Sequence, residues 1–343
     1  VSGTSGGGAF SFTTAGTIGA VYRRAWAYLR DEAKVNPVLR ITETRVVQAD
    51  TNAPRRDFIK SDLTTVTYAP GSPTGPSMRI AFEHTGNGLD LLGRNTIGYS
   101  VRILIDGREA GGWTGASLTS AGIATNAMFR LPVRFADARR RTIELVYSTL
   151  AGDFAGFDYG TDGSPSYPYS EPPKGARWLV VGDSFTEESG STEGWGFTRW
   201  VAEHMGWKDL WKIGSGSTGY VADGTRLALI DRYTNDILGN DPQGVILAMG
   251  LNDEQTYAAT PTVVTDAAAT IWDAILADPT IKTLVVVGPW PNGGGSGTIL
   301  PSLRGMDADF AAMAAVRGVQ YISPIQLGWT FSRADTTHPD NAG

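Results

Sequence analysis

The spacing of apolar residues along the chain changes from a helical to an alternating pattern. Near residues 14–34, apolar side chains recur every three or four positions, at Ile18, Val21, Tyr22, Trp26 and Leu29. This spacing predicts one amphipathic helix. Residues 1–35 are therefore predicted to hold a Gly/Ser-rich linker, which begins "VSGTSGGG", followed by that helix.

Alternation with a period of two predicts β-strands over residues 36–150. In "MRIAFEH", the residues Ile80, Phe82 and His84 fall on one face, and "YSVRILIDG" alternates before it ends in the turn pair Asp106-Gly107. "MFRLPVRF" and "RTIELVY" continue the pattern. Strands at short intervals, separated by Gly, Asn and Asp, predict a β-sandwich. Residues 151–175 lack periodicity and are rich in Gly, Pro, Ser and Tyr, so they are predicted to connect two domains.

Residues 176–343 carry short, continuous apolar runs that alternate with helical patterns. The predicted strands are "RWLVVG", "LWKIGS", "GVILAMG", "KTLVVVG" and "VQYISP". Helical stripes follow at Val264, Ala268, Ile271 and Ile275, and at Met306, Phe310 and Met313. Continuous apolar strands are buried on both faces, which predicts a parallel sheet flanked by helices. Ligands of such sheets bind where loops leave the carboxyl ends of the strands, so the chemistry is expected there.

Composition narrows the function classes. A formal net charge of -6 disfavours a nucleic-acid partner, because binding to the phosphate backbone needs a basic surface. The absence of cysteine excludes disulfides, a thiolate nucleophile and cysteine-ligated zinc. The apolar runs fall short of the ~20 residues that cross a bilayer, so no membrane span is predicted. No His/Asp/Glu cluster has the spacing of metal ligands, so no metal or other cofactor is expected.

Ser184 lies just past the first predicted strand of the C-terminal half, in "RWLVVGDSFTEESG". Two interpretations stay open for this residue on its own. It is either a nucleophile exposed at a strand end or the capping residue of a helix whose first turn carries the acids Glu187 and Glu188. The rest of the chain has to supply a base and an oxyanion donor.

The chain has three histidines as candidates for the base. His204 follows apolar residues at helical spacing and His84 continues a strand face, so both are expected at structural positions. His338 lies in a polar loop after the last predicted strand, and Asp335 precedes it by three residues. One turn of chain brings this carboxylate to one imidazole nitrogen and leaves the other nitrogen for a serine proton.

"MGLND", at the end of the third predicted strand, offers an oxyanion donor. The glycine permits a tight turn, and the Asn252 side-chain amide is suited to donate to an oxyanion. An ordinary Asx turn explains Asn252 equally well, and Asp253 is expected to brace the loop by hydrogen bonds. Nucleophile, donor and Asp–His pair thus all fall on loops at strand ends of one predicted domain.

On these residues, the half from Arg177 to Gly343 resembles the SGNH (GDSL) hydrolase family. "GDSFTE" matches the first block of the family, "GLND" the third and "DTTHP" the last. The resemblance implies a flavodoxin-like three-layer α/β/α fold, with Ser184 as nucleophile, His338 as general base and Asp335 as its orienting acid. It also implies an oxyanion hole that includes Ser184 and Asn252.

Two parts of the family pattern differ in this chain. The second block usually has a glycine whose N–H completes the oxyanion hole. In "KIGSGSTGY" either Gly216 or Ser217 takes that place. Members of the family also usually continue from His-Pro into a closing helix, whereas this sequence stops at Gly343. Either the sequence lacks that helix or another element covers the sheet.

A β-sandwich before such a domain is similar to the arrangement in carbohydrate esterase family 2. The segments "IAFEHTGNGLDLLG" and "YSVRILIDG" resemble the jelly-roll part of those enzymes. Flat aromatic rings stack on sugar faces, and Trp195, Tyr220 and Trp290 lie near predicted loop ends, so they are candidate substrate-binding residues. No extended apolar loop suggests a trough for long acyl chains. The favoured activity is therefore hydrolysis of short acyl esters, chiefly O-acetyl groups on a carbohydrate.

The Gly/Ser-rich start supports an alternative of another class. It predicts a chain that begins inside a larger or processed protein and joins a larger surface or virion assembly through its N-terminal region. In that interpretation the C-terminal domain binds glycan or is a degenerate enzyme. A carbohydrate substrate favours an extracellular, virion or cell-surface location, although no signal peptide is visible.

Overall fold

The computed structural model of the chain is described in two parts. From Met78 onward it describes all residues except 96–99, 121, 126, 148–152, 159–174, 188–195, 208, 225, 292–298, 333–334, 336 and 341–343. Before Met78 it describes only the backbone of the strands given below. The chain divides into two compact units, of which the first holds Val1–Asp62 and Ser77–Pro172 and the second holds Pro173–Gly343.

The described residues of the first unit form antiparallel strands and one short helix. Its strands are β1 (Ser2–Ser5), β2 (Gly8–Ser11), β3 (Arg24–Trp26), β4 (Tyr28–Leu29), β5 (Lys34–Val35), β6 (Arg40–Thr42), β7 (Val46–Ala49), β8 (Phe58–Ser61), β9 (Met78–Thr85), β10 (Gly88–Arg94), β11 (Ser100–Ile105), β12 (Arg108–Thr114), β13 (Met128–Phe135), β14 (Arg140–Tyr147) and β15 (Asp153–Asp158). The helix α1 is Gly115–Ser120.

Two sheets of this unit share one apolar core. One sheet has the order β1-β2-β13-β10-β15-β8-β7, with β3 also paired to β15, and the other has the order β12-β11-β14-β9-β6. Phe82 of β9 and Phe157 of β15 come from different sheets, and their rings stack with centroids 4.4 Å apart. The described strands therefore agree with the predicted sandwich, because alternating side chains from both sheets face one interior.

Two predictions for this region are wrong. The expected helix near residues 14–34 contains β3 and β4 instead, and Trp26 of β3 pairs with Gly156 of β15. Apolar residues at mixed spacing suit a strand as well as a helix, and pairing with a distant strand decides between the two. The second concerns the segment 151–175, which was predicted to connect two domains: its residues Asp153–Asp158 form β15 of the first unit, and residues 159–174 lie outside the described residues.

The second unit is built on a five-stranded parallel sheet. Its strands are β16 (Arg177–Gly182), β17 (Asp209–Gly214), β18 (Gly244–Ala248), β19 (Thr283–Val287) and β20 (Gln320–Ile322). Its helices are α2 (Phe197–Met205), α3 (Leu229–Asp236), α4 (Glu254–Ala259), α5 (Pro261–Ala277) and α6 (Pro301–Arg317), with 3₁₀ turns at Leu238–Asn240 and Leu251–Asp253. The predicted parallel sheet flanked by helices is confirmed.

The sheet has the flavodoxin-like order β17-β16-β18-β19-β20. Neighbouring residues of β16 point to opposite faces: Val181 packs in one core with residues of α5 and α6, and Val180 packs in the other with residues of α2. These layers make an α/β/α sandwich. The strand order reverses between β16 and β18, so the loops that carry Ser184 and Asn252 leave the sheet at its switch point, where ligands of this fold bind.

No helix among the described residues has the length and hydrophobicity that crossing a bilayer requires.

Candidate active site

Ser184 lies on a tight turn directly after β16. The backbone N–H of Phe185 donates to Asp183 Oδ1 at 2.9 Å, and the N–H of Glu187 donates to the Asp183 carbonyl at 2.9 Å. Ser184 keeps 8% of its surface exposed. The next described helix, α2, begins only at Phe197. The turn therefore presents the serine at the carboxyl edge of the sheet.

Both carboxylate oxygens of Asp335 take part in positioning His338. Its Oδ2 lies 2.7 Å from His338 Nδ1, and its Oδ1 accepts the backbone N–H groups of Thr337 and His338, both at 2.7 Å. The hydrogen bond from the His338 ring and those from the two N–H groups lower the pKa of Asp335 well below its usual value. An ionised carboxylate at Nδ1 holds the proton on that nitrogen and leaves Nε2 as the basic atom.

The His338 ring reaches the turn that carries Ser184. Its centroid lies 5.9 Å from that of Phe185, the residue next to Ser184. Within the part of the chain that the structure describes, the Ser184 hydroxyl and the His338 ring share no hydrogen bond. Catalytic hydrogen bonds are often long in unliganded enzymes and tighten when substrate binds.

The other two histidines lie elsewhere. His84 is buried in the first unit beside Phe135, with ring centroids 6.3 Å apart, which agrees with the structural position expected for it. His204 is exposed on α2 and its Nδ1 lies 2.8 Å from the Trp200 carbonyl oxygen, so the predicted core or boundary position is wrong. It follows the inward-packing Phe197 and Val201 at helical spacing, but it lies in the last turn of α2 and is exposed there.

The loop after β17 distinguishes between the two candidate backbone donors. The N–H of Gly216 donates to Glu187 Oε2 at 2.7 Å and is therefore occupied. Ser217 is exposed and has φ = 60°, and its N–H donates to no acceptor in the described residues. The N–H of Ser184 is also without an acceptor there. A β-carbon on Gly216 would lie 3.5 Å from Ser184 Cβ, so this loop runs beside the serine.

Asn252 joins this loop to the one after β18. One N–H of its side-chain amide donates to the Thr218 carbonyl at 2.9 Å. This contact reaches a different loop, and it leaves the second N–H of the amide for another acceptor. The geometry agrees with an amide that is held in place to donate.

Asp253 braces a neighbouring segment and not its own loop. Its Oδ2 accepts the N–H of Tyr220 at 2.7 Å, and its Oδ1 accepts those of Val221 and Ala222 at 3.0 and 2.9 Å. Burial raises the pKa of this carboxyl, and the three N–H groups act against that rise. Asp253 thereby fixes the chain that follows Ser217 and Thr218.

An aromatic cluster lies against the serine turn. Phe185 stacks on Trp290 with centroids 5.1 Å apart, and the edge of Phe331 meets Phe185 at 5.6 Å. Trp290 also meets Trp329 at 5.7 Å, and Trp329 is 40% exposed whereas Trp290 is 7% exposed. The indole N–H of Trp290 is buried without a partner in the described residues.

The other two candidate substrate-binding residues differ in outcome. Tyr220 is fully buried in the core, where its hydroxyl accepts the indole N–H of Trp272 at 3.2 Å. The prediction that Tyr220 contacts substrate is therefore wrong, because its ring packs between Trp272 and Phe310 and not on a surface. Trp195 lies outside the described residues, as does the glycine-rich segment 292–298.

The sequence pattern did not single out Glu187 and Arg226. One of the two interpretations of Ser184 placed Glu187 in the first turn of a helix, yet its side chain is 5% exposed and pairs with Arg226 at 2.9 Å. Arg226 lies 39 positions away in a segment without periodicity, so no spacing pattern links the two. The fold brings them together because β16 and β17 are neighbours in the sheet.

Comparison with known families agrees with this arrangement. Residues 180–343 match the sequence model of the family described as GDSL-like Lipase/Acylhydrolase. The matched residues lie in the second unit, which therefore resembles a GDSL-like domain. Lipases and acylhydrolases cleave carboxylic esters, and the matched region of the GDSL-like domain runs from β16 through His338. No curated protein matches this chain in sequence.

Solved structures share the fold over both units. A family two carbohydrate esterase from Cellvibrio japonicus matches with a TM-score of 0.63 at 13% identity, over 93% of this chain and 92% of the other. An acetyl xylan esterase from the rumen bacterium Butyrivibrio proteoclasticus matches with a TM-score of 0.62 at 11% identity, over 94% of each chain. A salicylyl-acyltransferase from a tetracycline biosynthetic pathway matches with a TM-score of 0.64 at 12% identity, over 93% and 92%. At these identities the likeness shows the fold alone.

Proposed function

We propose that this protein is a serine esterase that removes short acyl groups, chiefly O-acetyl groups, from a carbohydrate. The observation that carries the proposal is the contact between Asp335 and His338 Nδ1, on a ring that reaches the turn of Ser184. A carboxylate-oriented imidazole beside a serine at a strand end is the arrangement that activates a hydroxyl.

The reaction uses groups of the second unit. Ser184 Oγ attacks the ester carbonyl while His338 Nε2 takes the hydroxyl proton. The oxyanion of the tetrahedral intermediate accepts hydrogen bonds from the N–H groups of Ser184 and Ser217 and from the second amide N–H of Asn252. His338 then passes its proton to the departing sugar oxygen, and water cleaves the acyl-enzyme by the same route.

The aromatic cluster supports a short acyl group on a sugar. Trp290 and Phe331 both pack on Phe185, the residue next to Ser184, so a small acyl group suits this site better than a long chain. Trp329 presents an exposed indole face next to Trp290, and such faces stack on sugar rings. Two of the similar structures are a carbohydrate esterase and an acetyl xylan esterase by their names, which supports the same substrate class.

The predicted alternative, a glycan-binding or structural module with a degenerate site, is less well supported. A degenerate enzyme would have no need to keep a base, the acid that orients it and open oxyanion donors together. The chain retains Ser184, the Asp335–His338 contact and the open N–H of Ser217.

Acetate release with and without the serine hydroxyl tests the proposal. Wild-type protein should release acetate from acetylated xylan and should cleave p-nitrophenyl acetate faster than p-nitrophenyl octanoate. Ser184→Ala should lower kcat for p-nitrophenyl acetate by a factor on the order of 10³ or more, because it removes the nucleophile.

Ser120→Ala is the control, since Ser120 is exposed in the first unit and its variant should keep the wild-type rate. Equal rates for wild type and Ser184→Ala would refute the serine mechanism. Cleavage of p-nitrophenyl acetate without release of acetate from any acetylated polysaccharide would refute the carbohydrate substrate alone.

A further inference from the structure

A buried ion pair lies behind the proposed oxyanion hole and takes no part in the chemistry described so far. Glu187 Oε2 and Arg226 Nη1 lie 2.9 Å apart, with 5% and 9% of their side chains exposed. Removing two charges from water costs several kcal/mol per ion before their attraction offsets the loss, so such a pair adds little stability for its own sake. Its further contacts show what it does in this fold.

Both partners bind the backbone of one residue, Gly216. Glu187 Oε2 accepts the N–H of Gly216 at 2.7 Å. Arg226 Nη1 donates to the carbonyl oxygen of Gly216 at 3.3 Å. The ion pair therefore holds Gly216 from both sides.

The carbonyl of Gly216 and the N–H of Ser217 belong to the same planar, trans peptide group, in which they point in opposite directions. When Arg226 binds that carbonyl oxygen, it fixes the direction of the Ser217 N–H as well. The N–H of Gly216 is meanwhile turned towards Glu187 and is withdrawn from the oxyanion.

Ser217 itself needs this support. Its φ of 60° lies in the left-handed region, which is unfavourable for a residue with a β-carbon. The next residue closes the turn, since the Thr218 hydroxyl donates to the Ser215 carbonyl at 2.7 Å. The conformation of Ser217 is thus set by bonds on both sides of it.

We infer that Glu187 and Arg226 are positioning residues of the oxyanion hole: they orient the Gly216–Ser217 peptide so that Ser217, and not Gly216, supplies the backbone N–H to the oxyanion. The inference rests on the proposed esterase function and names the part of that site that the sequence leaves open. The pair acts through the peptide and does not touch the reacting atoms.

The test compares kcat for p-nitrophenyl acetate, per active site titrated with a p-nitrophenyl phosphonate, across four variants. Glu187→Ala should lower kcat by about 10–100-fold and change KM by less than about twofold, since an oxyanion donor acts mainly in the transition state. Glu187→Gln should retain kcat within about fivefold, because its amide oxygen still accepts the Gly216 N–H. Arg226→Met should lower kcat by about 10-fold or more.

The fourth variant, Asp209→Asn, is a matched control. Asp209 is a buried carboxylate paired with Arg177 at 3.2 Å, and it lies at the opposite end of the strand that leads to Gly216. Its substitution disturbs a similar ion pair without touching the loop, so kcat should stay at the wild-type value while the Tm of the second unit falls.

The outcomes separate the inference from the proposed function. A wild-type protein that neither turns over nor reacts with the phosphonate overturns both. An active wild type with unchanged kcat in Glu187→Ala overturns the inference alone. If Glu187→Ala does not fold, Arg226→Met decides. A wild-type kcat in Arg226→Met, or equal losses of kcat in Asp209→Asn and Arg226→Met, overturns the inference.

Discussion

Asp183, the residue before the proposed nucleophile Ser184, carries a carboxyl group that the fold buries completely. Its Oδ1 accepts the N–H of Phe185, and its Oδ2 is buried without a partner in the described residues. Burial raises the pKa of Asp183 to about 7, and the carboxylates of Asp253 and Glu187 add to the rise. The N–H of Phe185 acts in the opposite direction. Near neutral pH this group therefore exchanges a proton in the folded state.

The raised pKa makes stability depend on pH in a defined direction. In the unfolded chain an Asp titrates near 3.9, so folding favours the protonated form of Asp183. Its stabilising contribution is complete below about pH 3.9 and is lost as pH rises through the folded pKa of about 7. Asp183→Asn lacks this titration.

Urea denaturation of both proteins at pH 4.5 and pH 8 checks the sign. The wild type should lose free energy of unfolding relative to Asp183→Asn as the pH rises. A difference between the two proteins that stays constant across this range would contradict the raised pKa.

Sequence spacing predicts those site residues whose partners are near in the chain. Asp335 and His338 are three positions apart, and that spacing alone suggests the contact that the structure shows. The sequence did not indicate a role for Glu187 in the site, because an acid after a serine is typical of any helix start. The structure also distinguishes Ser217 from Gly216, because the partner of the Gly216 N–H comes from another loop.

At the scale of elements, the loop after β18 depends on Gly250. Its φ of 125° with ψ of -21° is a conformation that residues with a β-carbon rarely adopt. A β-carbon there would also lie 3.2 Å from Met306 Sδ and 3.4 Å from Phe310. The glycine thus lets the chain turn against α6 and into the 3₁₀ turn that holds Asn252.

Gly250→Ala should lower the free energy of unfolding by about 2–3 kcal/mol, through backbone strain and crowding. It should also lower kcat for p-nitrophenyl acetate about 10-fold, because Asn252 is a proposed oxyanion donor and small shifts of such a donor are costly. Urea denaturation and initial rates measure the two effects.

Gly318→Ala is the matched control for this prediction. Gly318 ends α6 with φ of 66° and has open space around its Cα, so only the left-handed backbone penalty of about 1 kcal/mol applies. Its kcat should not change. Equal losses of stability and rate in the two variants would contradict a special role for Gly250.

Element prediction succeeded where burial alone sets the pattern. The five parallel strands were found within two residues of their observed bounds, since the central strands such as β16 and β18 are apolar on both faces. The helix predicted near residues 14–34 was wrong because a strand such as β3 is determined by its partner β15, more than 120 residues further on. Local spacing holds no information on that pairing.

At the scale of the whole molecule, each unit has its own apolar interior. Phe157 lies in the core of the first unit and Phe310 in a core of the second, and both side chains are fully buried. The clusters of the two units share no residue among those described. Two cores of this kind give a chain two candidate cooperative units, for which a single Tm is not defined.

Calorimetry with one substitution in each core tests this organisation. Phe157→Ala and Phe310→Ala each remove a buried ring, at a cost of about 3–5 kcal/mol. We expect two unfolding transitions in the wild type, with Phe157→Ala lowering one Tm and Phe310→Ala the other. Loss of esterase activity on heating should follow the transition that Phe310→Ala lowers, because Ser184, Asn252 and His338 belong to that unit. A single transition lowered equally by both substitutions would instead show that the two cores unfold as one.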